Sequence, residues 1–353
     1  MVNAKLPYFV KPMMASGDLI SLIRSQSIYI ENSRILCIFF MTYVHLHFAI
    51  DLQNDDFILL KRIFVDVLGR SSVPLLSTIS GLLMVNYFGR RPWSVAVKER
   101  AVTLLWPMLF WNAGALLILG SGSGHVLNDL LALTGAPALL YLAFLRDLFV
   151  LCALTPILLL GVRKFPIATA LLTFGYYLAN VPTPVILRPQ IAGFYMVGLY
   201  IATWGALRLP RLPVILAFVV MIAIELTIQP SAMLYDLLVR RPITAATFWV
   251  IACALPVRMK LGRATFVFFL CHGLAFQLSG SVYYRAGLLD AYMVLWLVTP
   301  LLVLLAVCAV MWLWRRCLPW VPAIVTWAVQ PFMGGPPPAT IPHTPHRHTG
   351  RSP

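Results

Sequence analysis

Charge is what this chain has least of. Asp and Glu number 12 and Lys and Arg 27 among 353 residues, so only 11 % carry charge, against roughly 25 % in ordinary soluble domains. With 60 % hydrophobic residues beside it, that shortage excludes a water-soluble globular protein. Acids are the scarcer sign and the net charge is +15, but the bases lie in short connections between apolar runs. There they set membrane orientation, so no nucleic-acid partner is expected. Cysteine occurs as Cys37, Cys152, Cys253, Cys271, Cys308 and Cys317, in or beside different apolar runs with no paired spacing. This excludes a disulfide framework and a zinc site, and no metal is expected. Before Tyr29 no long apolar core precedes a small-residue cleavage site, so a cleaved signal peptide is not expected.

What is there is a succession of apolar runs, at about 30–50, 64–86, 101–119, 138–160, 167–181, 190–207, 212–229, 243–257, 265–281 and 291–313. They predict an all-α polytopic integral membrane protein of about ten transmembrane helices. Arg90, Arg91, Lys98 and Arg100, then Arg163 and Lys164, Arg208 and Arg211, Arg258, Lys260 and Arg263, and Arg315 and Arg316 all fall on the side of the N-terminus. By the positive-inside rule that side is the cytoplasm, which puts both termini there and the loop at 120–137 outside. The expected division is a cytoplasmic segment at 1–28, a membrane domain at 29–318 and a cytoplasmic tail at 319–353, disordered from about 333, where Pro and His accumulate.

Within the first run Arg34 and His45 stand eleven positions apart. Eleven steps of about 100° make three turns plus ~20°, so the two share one helix face, separated by about 16 Å along the axis. His47 falls on the opposite face. An ionisable group inside a span costs at least ~2.5–3.5 kcal/mol and usually faces a cavity or a partner. The pair is therefore a site hypothesis, beside the plainer reading that Arg34 snorkels to the surface and His45 makes one interhelical hydrogen bond.

Depth brings other residues toward His45. Arg146 and Asp147 in the fourth run, and Asp66 with Arg70 four residues on in the second, fall in the same half of the membrane. Asp147 and Asp66 are candidates to hold the His45 tautomer. Arg146 and Asp147 point about 100° apart and are not expected to pair with each other. Structural ion pairs between spans are the alternative for all four. His272, the other lone intramembrane His, reads first as a satisfied interhelical hydrogen bond. Arg90, Arg91, Lys98 and Arg100 at the entry to the third run suit anionic lipid head groups, or equally the phosphates of a nucleotide-like donor.

Arg34, ten residues and His45 at the head of the first span resemble the hallmark of the membrane acyltransferase family 3, whose members modify bacterial surface and secreted polysaccharides. Val73-Pro74-Leu75-Leu76 with Ile79-Ser80-Gly81 resembles that family's second span, and Arg100 with Leu104-Leu105-Trp106-Pro107 its third. Tyr141 to Leu148, YLAFLRDL, is similar to its "LWFLRDL" form, and Thr265-Phe266 through His272 to its late "S-F-x-I-Y-L-x-H" span. Thr103 stands where a second Arg is common, and Ala143 where a Trp is usual.

The resemblance implies a protein of the bacterial cytoplasmic (inner) membrane that takes an acyl group, acetyl or succinyl, from cytoplasmic acyl-CoA. The acceptor would be a carbohydrate hydroxyl of an exported polysaccharide or its lipid-linked precursor. It implies His45 as general base, with Arg34, Asp147 and Arg146 in the catalytic group, and Arg34, Arg100, Lys98, Arg91 and Ser80 as donor contacts. The ~16 Å between Arg34 and His45 suits a pantetheine-length donor. Two other readings compete. A polytopic glycosyltransferase with a lipid-linked donor would use Asp55 and Asp56 of the first outer loop. A proton-coupled transporter would use the intramembrane ions, though no internal repeat is evident.

Overall fold

The computed structural model describes residues 16–46, 57–119, 126–133, 140–183, 188–205, 209–228, 230–255, 261–288 and 292–317. Among them every regular element is helical. In chain order the helices are α1 Ser16–Leu46, α2 Ile58–Phe88, α3 Trp93–Ile118, α4 Val126–Leu131, α5 Ala143–Lys164, α6 Pro166–Ala179, α7 Pro189–Trp204, α8 Arg211–Thr227, α9 Met233–Ala254, α10 Gly262–Arg285 and α11 Tyr292–Cys317. Six of them, α2, α3, α5, α9, α10 and α11, are long and apolar enough to cross a membrane. The helices α6, α7 and α8 have 14, 16 and 17 residues, at or below the lower limit for a ~30 Å hydrocarbon core.

Each expected run overlaps a helix among the described residues, but six of these helices rather than ten are long and apolar enough to cross, and boundaries move where charges pair. The eighth run, placed at 243–257, begins as a helix at Met233. Arg240 binds Glu225 of α8 through Nε at 2.6 Å and Asp236 through Nη1 at 3.1 Å, and Arg241 reaches Asp236 Oδ2 at 2.7 Å. These residues read as an exposed loop when each charge is counted singly, whereas paired they continue the helix. Likewise α1 starts at Ser16 rather than near residue 29. Its 31 residues span about 46 Å, longer than the apolar layer, so the first turns extend beyond it. The short α4 lies inside the stretch expected to be a loop. A single turn and a half leaves no periodic signature, and it is held by Asn112 Nδ2 donating to the Leu130 carbonyl at 3.1 Å.

The tightest seam of the bundle is the crossing of α2 and α7. A Cβ on Gly81 would overlap the Tyr195 carbonyl, and one on Gly198 the Thr78 carbonyl. Thr78 Oγ1 also donates to the Phe194 carbonyl across the seam at 3.1 Å. Small residues let the two backbones meet, which supplies van der Waals contact where lipid offers no hydrophobic drive. Tyrosine hydroxyls tie other pairs: Tyr43 of α1 to the Leu297 carbonyl of α11 at 2.9 Å, and Tyr177 of α6 to Leu237 of α9 at 2.6 Å. Apolar side chains such as Leu172 on α6 and Val219 on α8 face outward, as a lipid-facing surface requires.

Candidate functional site

The two polar ends of α1 gather different partners. Because α1 is unbroken from Ser16 to Leu46, Arg34 and His45 keep the common face and the ~16 Å separation expected of them.

At the Arg34 end, the guanidinium lies in the electrostatic reach of Glu31 on its own helix and of Arg100 on α3. Arg100 extends over the Tyr87 ring with its guanidinium carbon 4.5 Å from the ring centre, and Arg91 approaches the same ring at 5.6 Å. A cation over an aromatic face is attracted by the ring quadrupole, which fixes both arginines without neutralising them. Arg91 also pairs with Glu99. The Arg100 Nε–H is buried and makes no hydrogen bond among the described residues. Directly after Arg100 the helix widens into a π-helical turn at Ala101–Leu105, a distortion that recurs at functional sites. Lys98 is exposed. The Ser80 hydroxyl donates to the Leu76 carbonyl at 2.7 Å. Thr103 likewise bonds back to Glu99 at 2.9 Å.

At the other end, three rings meet. The His45 imidazole lies 5.1 Å, centre to centre, from both Tyr141 and His272, and Tyr141 lies 4.2 Å from His272. Tyr141 is held by its hydroxyl, which donates to the Leu270 carbonyl at 2.9 Å, and by the bare backbone of Gly273, where a Cβ would overlap its ring. His45 is partly buried, while His272 is fully buried. Arg188, immediately before α7, is in electrostatic reach of His45.

Two expectations about this end need correction. Arg146 and Asp147 do pair: Arg146 Nη2 lies 2.7 Å and Nε 3.3 Å from the same oxygen, Asp147 Oδ1. The 100° rule governs where the side chains leave the helix, and a flexible Arg folds back across that angle when its carboxylate neighbour is fully buried. The groups found against the His45 ring are Tyr141 and His272, with Arg188 in reach. Asp147 accepts the Arg188 backbone N–H on Oδ2 at 3.1 Å, and so anchors the start of α7. Second, His272 makes no interhelical hydrogen bond among the described residues. Its Nδ1 sits 2.8 Å from the Phe269 carbonyl of its own helix, and its Nε2 is buried without a hydrogen-bond partner among the described residues.

Arg146 Nη1 completes the group by donating to the Ala132 carbonyl at 2.6 Å. Ala132 ends α4 with φ of 50°, a left-handed conformation that costs a non-glycine residue energy. Asp66 and Arg70 pair with each other at 3.4 Å, Asp66 partly buried and Arg70 exposed. His47, Asp55 and Asp56 lie outside the described residues, as does the tail with its histidines.

Tyr141 and Arg188 were not singled out by sequence as functional groups. Tyr141 carries a weak signal, standing at the start of the YLAFLRDL motif. Arg188 carries another, an Arg directly before the Pro that opens a span. A cavity of about 800 Å³ lies elsewhere, between α2, α6, α7 and α9, lined by residues such as Ile79, Phe174, Val197 and Trp249. None of the expected site residues lines it, and its apolar walls would leave phosphates desolvated and unpaired.

Long apolar helices enclosing an arginine group and a histidine group define an integral membrane protein with two polar centres on one helix. A sequence profile described as an acyltransferase domain matches residues 27–315, and the chain belongs to that family, the membrane acyltransferase family 3. It is also similar to the succinoglycan biosynthesis protein ExoH of Rhizobium meliloti (strain 1021), 28 % identical over 199 residues that cover 50 % of this chain and 54 % of ExoH. The matched stretch thus spans about half the length of that curated relative. No solved structure matches.

Proposed function

We propose that this protein is a ten-span membrane O-acyltransferase that moves an acetyl or succinyl group from acyl-CoA to a hydroxyl of an exported polysaccharide or its lipid-linked precursor. The observation that carries the reading is the division of labour along α1, with Arg34 beside Arg100 at one end and His45 among Tyr141, His272 and Arg188 at the other. Family membership supports acyl transfer, and the printed name of ExoH supports a bacterial exopolysaccharide as the acceptor's class. The positive-inside pattern supports cytoplasmic termini and a donor site facing the cytoplasm.

Arg34 and Arg100 form a like-charged pair with an unsatisfied buried donor on Arg100. Phosphate oxygens fit such a pair, because guanidinium forks bond them bidentately and relieve the repulsion. With the donor thus fixed, its thioester extends along α1 toward His45. His45 takes the proton of the acceptor hydroxyl as the oxygen attacks the thioester carbonyl. As the C–S bond breaks, the same proton passes to the departing CoA sulfur. Arg188, near His45, supplies positive charge where the carbonyl oxygen becomes negative. Asp147 and Arg146 act through structure, holding Arg188 and α4 in place.

The deciding experiment is mass spectrometry of surface polysaccharide from cells with and without the protein, joined to transfer of label from acetyl-CoA or succinyl-CoA in membranes. Loss of one acyl substituent together with label transfer is expected. Unchanged polysaccharide and intact thioester in membranes that contain folded protein would refute the reading.

A further inference from the structure

We infer that His272 is a positioning residue for His45: its Nε2 accepts a hydrogen bond from the His45 ring and so fixes the tautomer and direction of the base. The inference rests on the proposed role of His45.

Phe269 offers a carbonyl, which only accepts, so the His272 nitrogen 2.8 Å away, Nδ1, must carry the proton. In a neutral imidazole the other nitrogen is then a lone-pair acceptor. That nitrogen, Nε2, is buried and makes no hydrogen bond among the described residues. Leaving a buried polar atom unpaired costs about 1–3 kcal/mol, so such an atom is conspicuous. The nearest ring nitrogens belong to His45, whose centre is 5.1 Å away. An imidazole nitrogen sits about 1.1 Å from its ring centre, so an N–H···N bond of ~2.9 Å spans about 5.1 Å between centres. The centre-to-centre separation is thus the one such a bond requires, and the bond forms when the two ring nitrogens turn toward each other.

The consequence is a defined proton inventory. With one His45 nitrogen donating to His272, the other is the lone pair available to the acceptor hydroxyl. When His45 takes the proton, both its nitrogens carry hydrogen, and His272 stabilises the imidazolium through the bond already in place. The proton stays on His45 until the CoA sulfur takes it, and His272 neither gains nor loses one. Tyr141, 4.2 Å from His272 and 5.1 Å from His45, packs against both rings.

Amide replacements separate the two nitrogens. Asn places its N–H where Nδ1 stands and can still serve Phe269; Gln places its carbonyl oxygen where Nε2 stands and can still accept from His45. Acyl transfer from acetyl-CoA and succinyl-CoA to extracted host polysaccharide is measured for His272→Ala, His272→Asn and His272→Gln, with acetyl-CoA binding by titration on the same purified proteins. Expected is a loss in kcat of about 10²-fold for Ala and Asn, with Gln within ~10-fold of the unaltered protein and acetyl-CoA affinity changed less than ~2-fold throughout. On a His45→Ala background, His272→Ala should cost nothing further, since groups acting as a unit are not additive. An active Asn with an inactive Gln, an equal loss in all three, or additive losses would overturn the inference while leaving His45 as base. Normal transfer by His45→Ala would instead remove the base and this inference together.

Discussion

At the Arg34 end of α1, Arg100 and Arg34 repel one another and one guanidinium N–H is left without a hydrogen bond among the described residues. At the His45 end, by contrast, Arg146 and Asp147 pair internally, and the rings of His45, His272 and Tyr141 pack within about 5 Å of each other. One end has charge in excess, as a site for a multiply charged ligand should. The other holds a closed Arg146–Asp147 pair with Arg188 beside it and presents imidazoles, as a site that moves a single proton should. The difference shows how one helix can serve binding and chemistry at once: the two demands are separated by length.

The contrast is broken most severely at His45. His45→Ala should lower acyl transfer by about 10²–10⁴-fold while donor binding persists, because a positioned base acts on the acceptor hydroxyl. Steady-state transfer beside acetyl-CoA titration checks this, and His47→Ala, which the sequence spacing alone sets on the opposite face, should be far milder. Asp147→Asn should cost stability, about 3–5 kcal/mol, because it leaves the buried Arg146 charge without its carboxylate. Thermal unfolding in detergent reads that loss, and a shift no larger than that of a surface substitution would contradict the pairing.

Arg100→Ala tests the opposite end. Loss of one charged donor to phosphate should weaken acetyl-CoA binding by roughly 10- to 100-fold and leave kcat at saturating donor close to normal. Unchanged affinity with lost turnover would move Arg100 out of the binding site. The mildest test is Gly273→Ala, whose new methyl group would overlap the Tyr141 ring. Displacing that ring should loosen His45 and lower kcat by about 10-fold, with donor affinity intact. Equal effects on both quantities would mean that Gly273 matters to folding alone.

Much of this could be read from residues in order. The spacing of Arg34 and His45 needs only the helical period, and the apolar runs show where helices lie among the described residues, six of them long and apolar enough to cross a membrane. What depends on the ends of long side chains could not be read that way. Arg146 was misjudged against Asp147 because the period gives the direction of Cβ, not the reach of a guanidinium. The start of α9 was set too late because the partner that neutralises Arg240 is Glu225, on another helix. Tyr141 and Arg188 join His45 only through packing between distant segments, about which neither residue's local sequence carries information.

The unbroken course of α1 makes the distance between its two centres a matter of phase as well as length. One residue inserted between positions 35 and 44 would lengthen the helix by only ~1.5 Å but swing His45 through about 100°, away from Tyr141 and His272. Four inserted residues would bring the imidazole back to within ~40° of its original face, about 6 Å farther along the axis. The stretch from Arg34 to His45 therefore works as a ruler marked in turns, on which a small error in count costs more than a larger one.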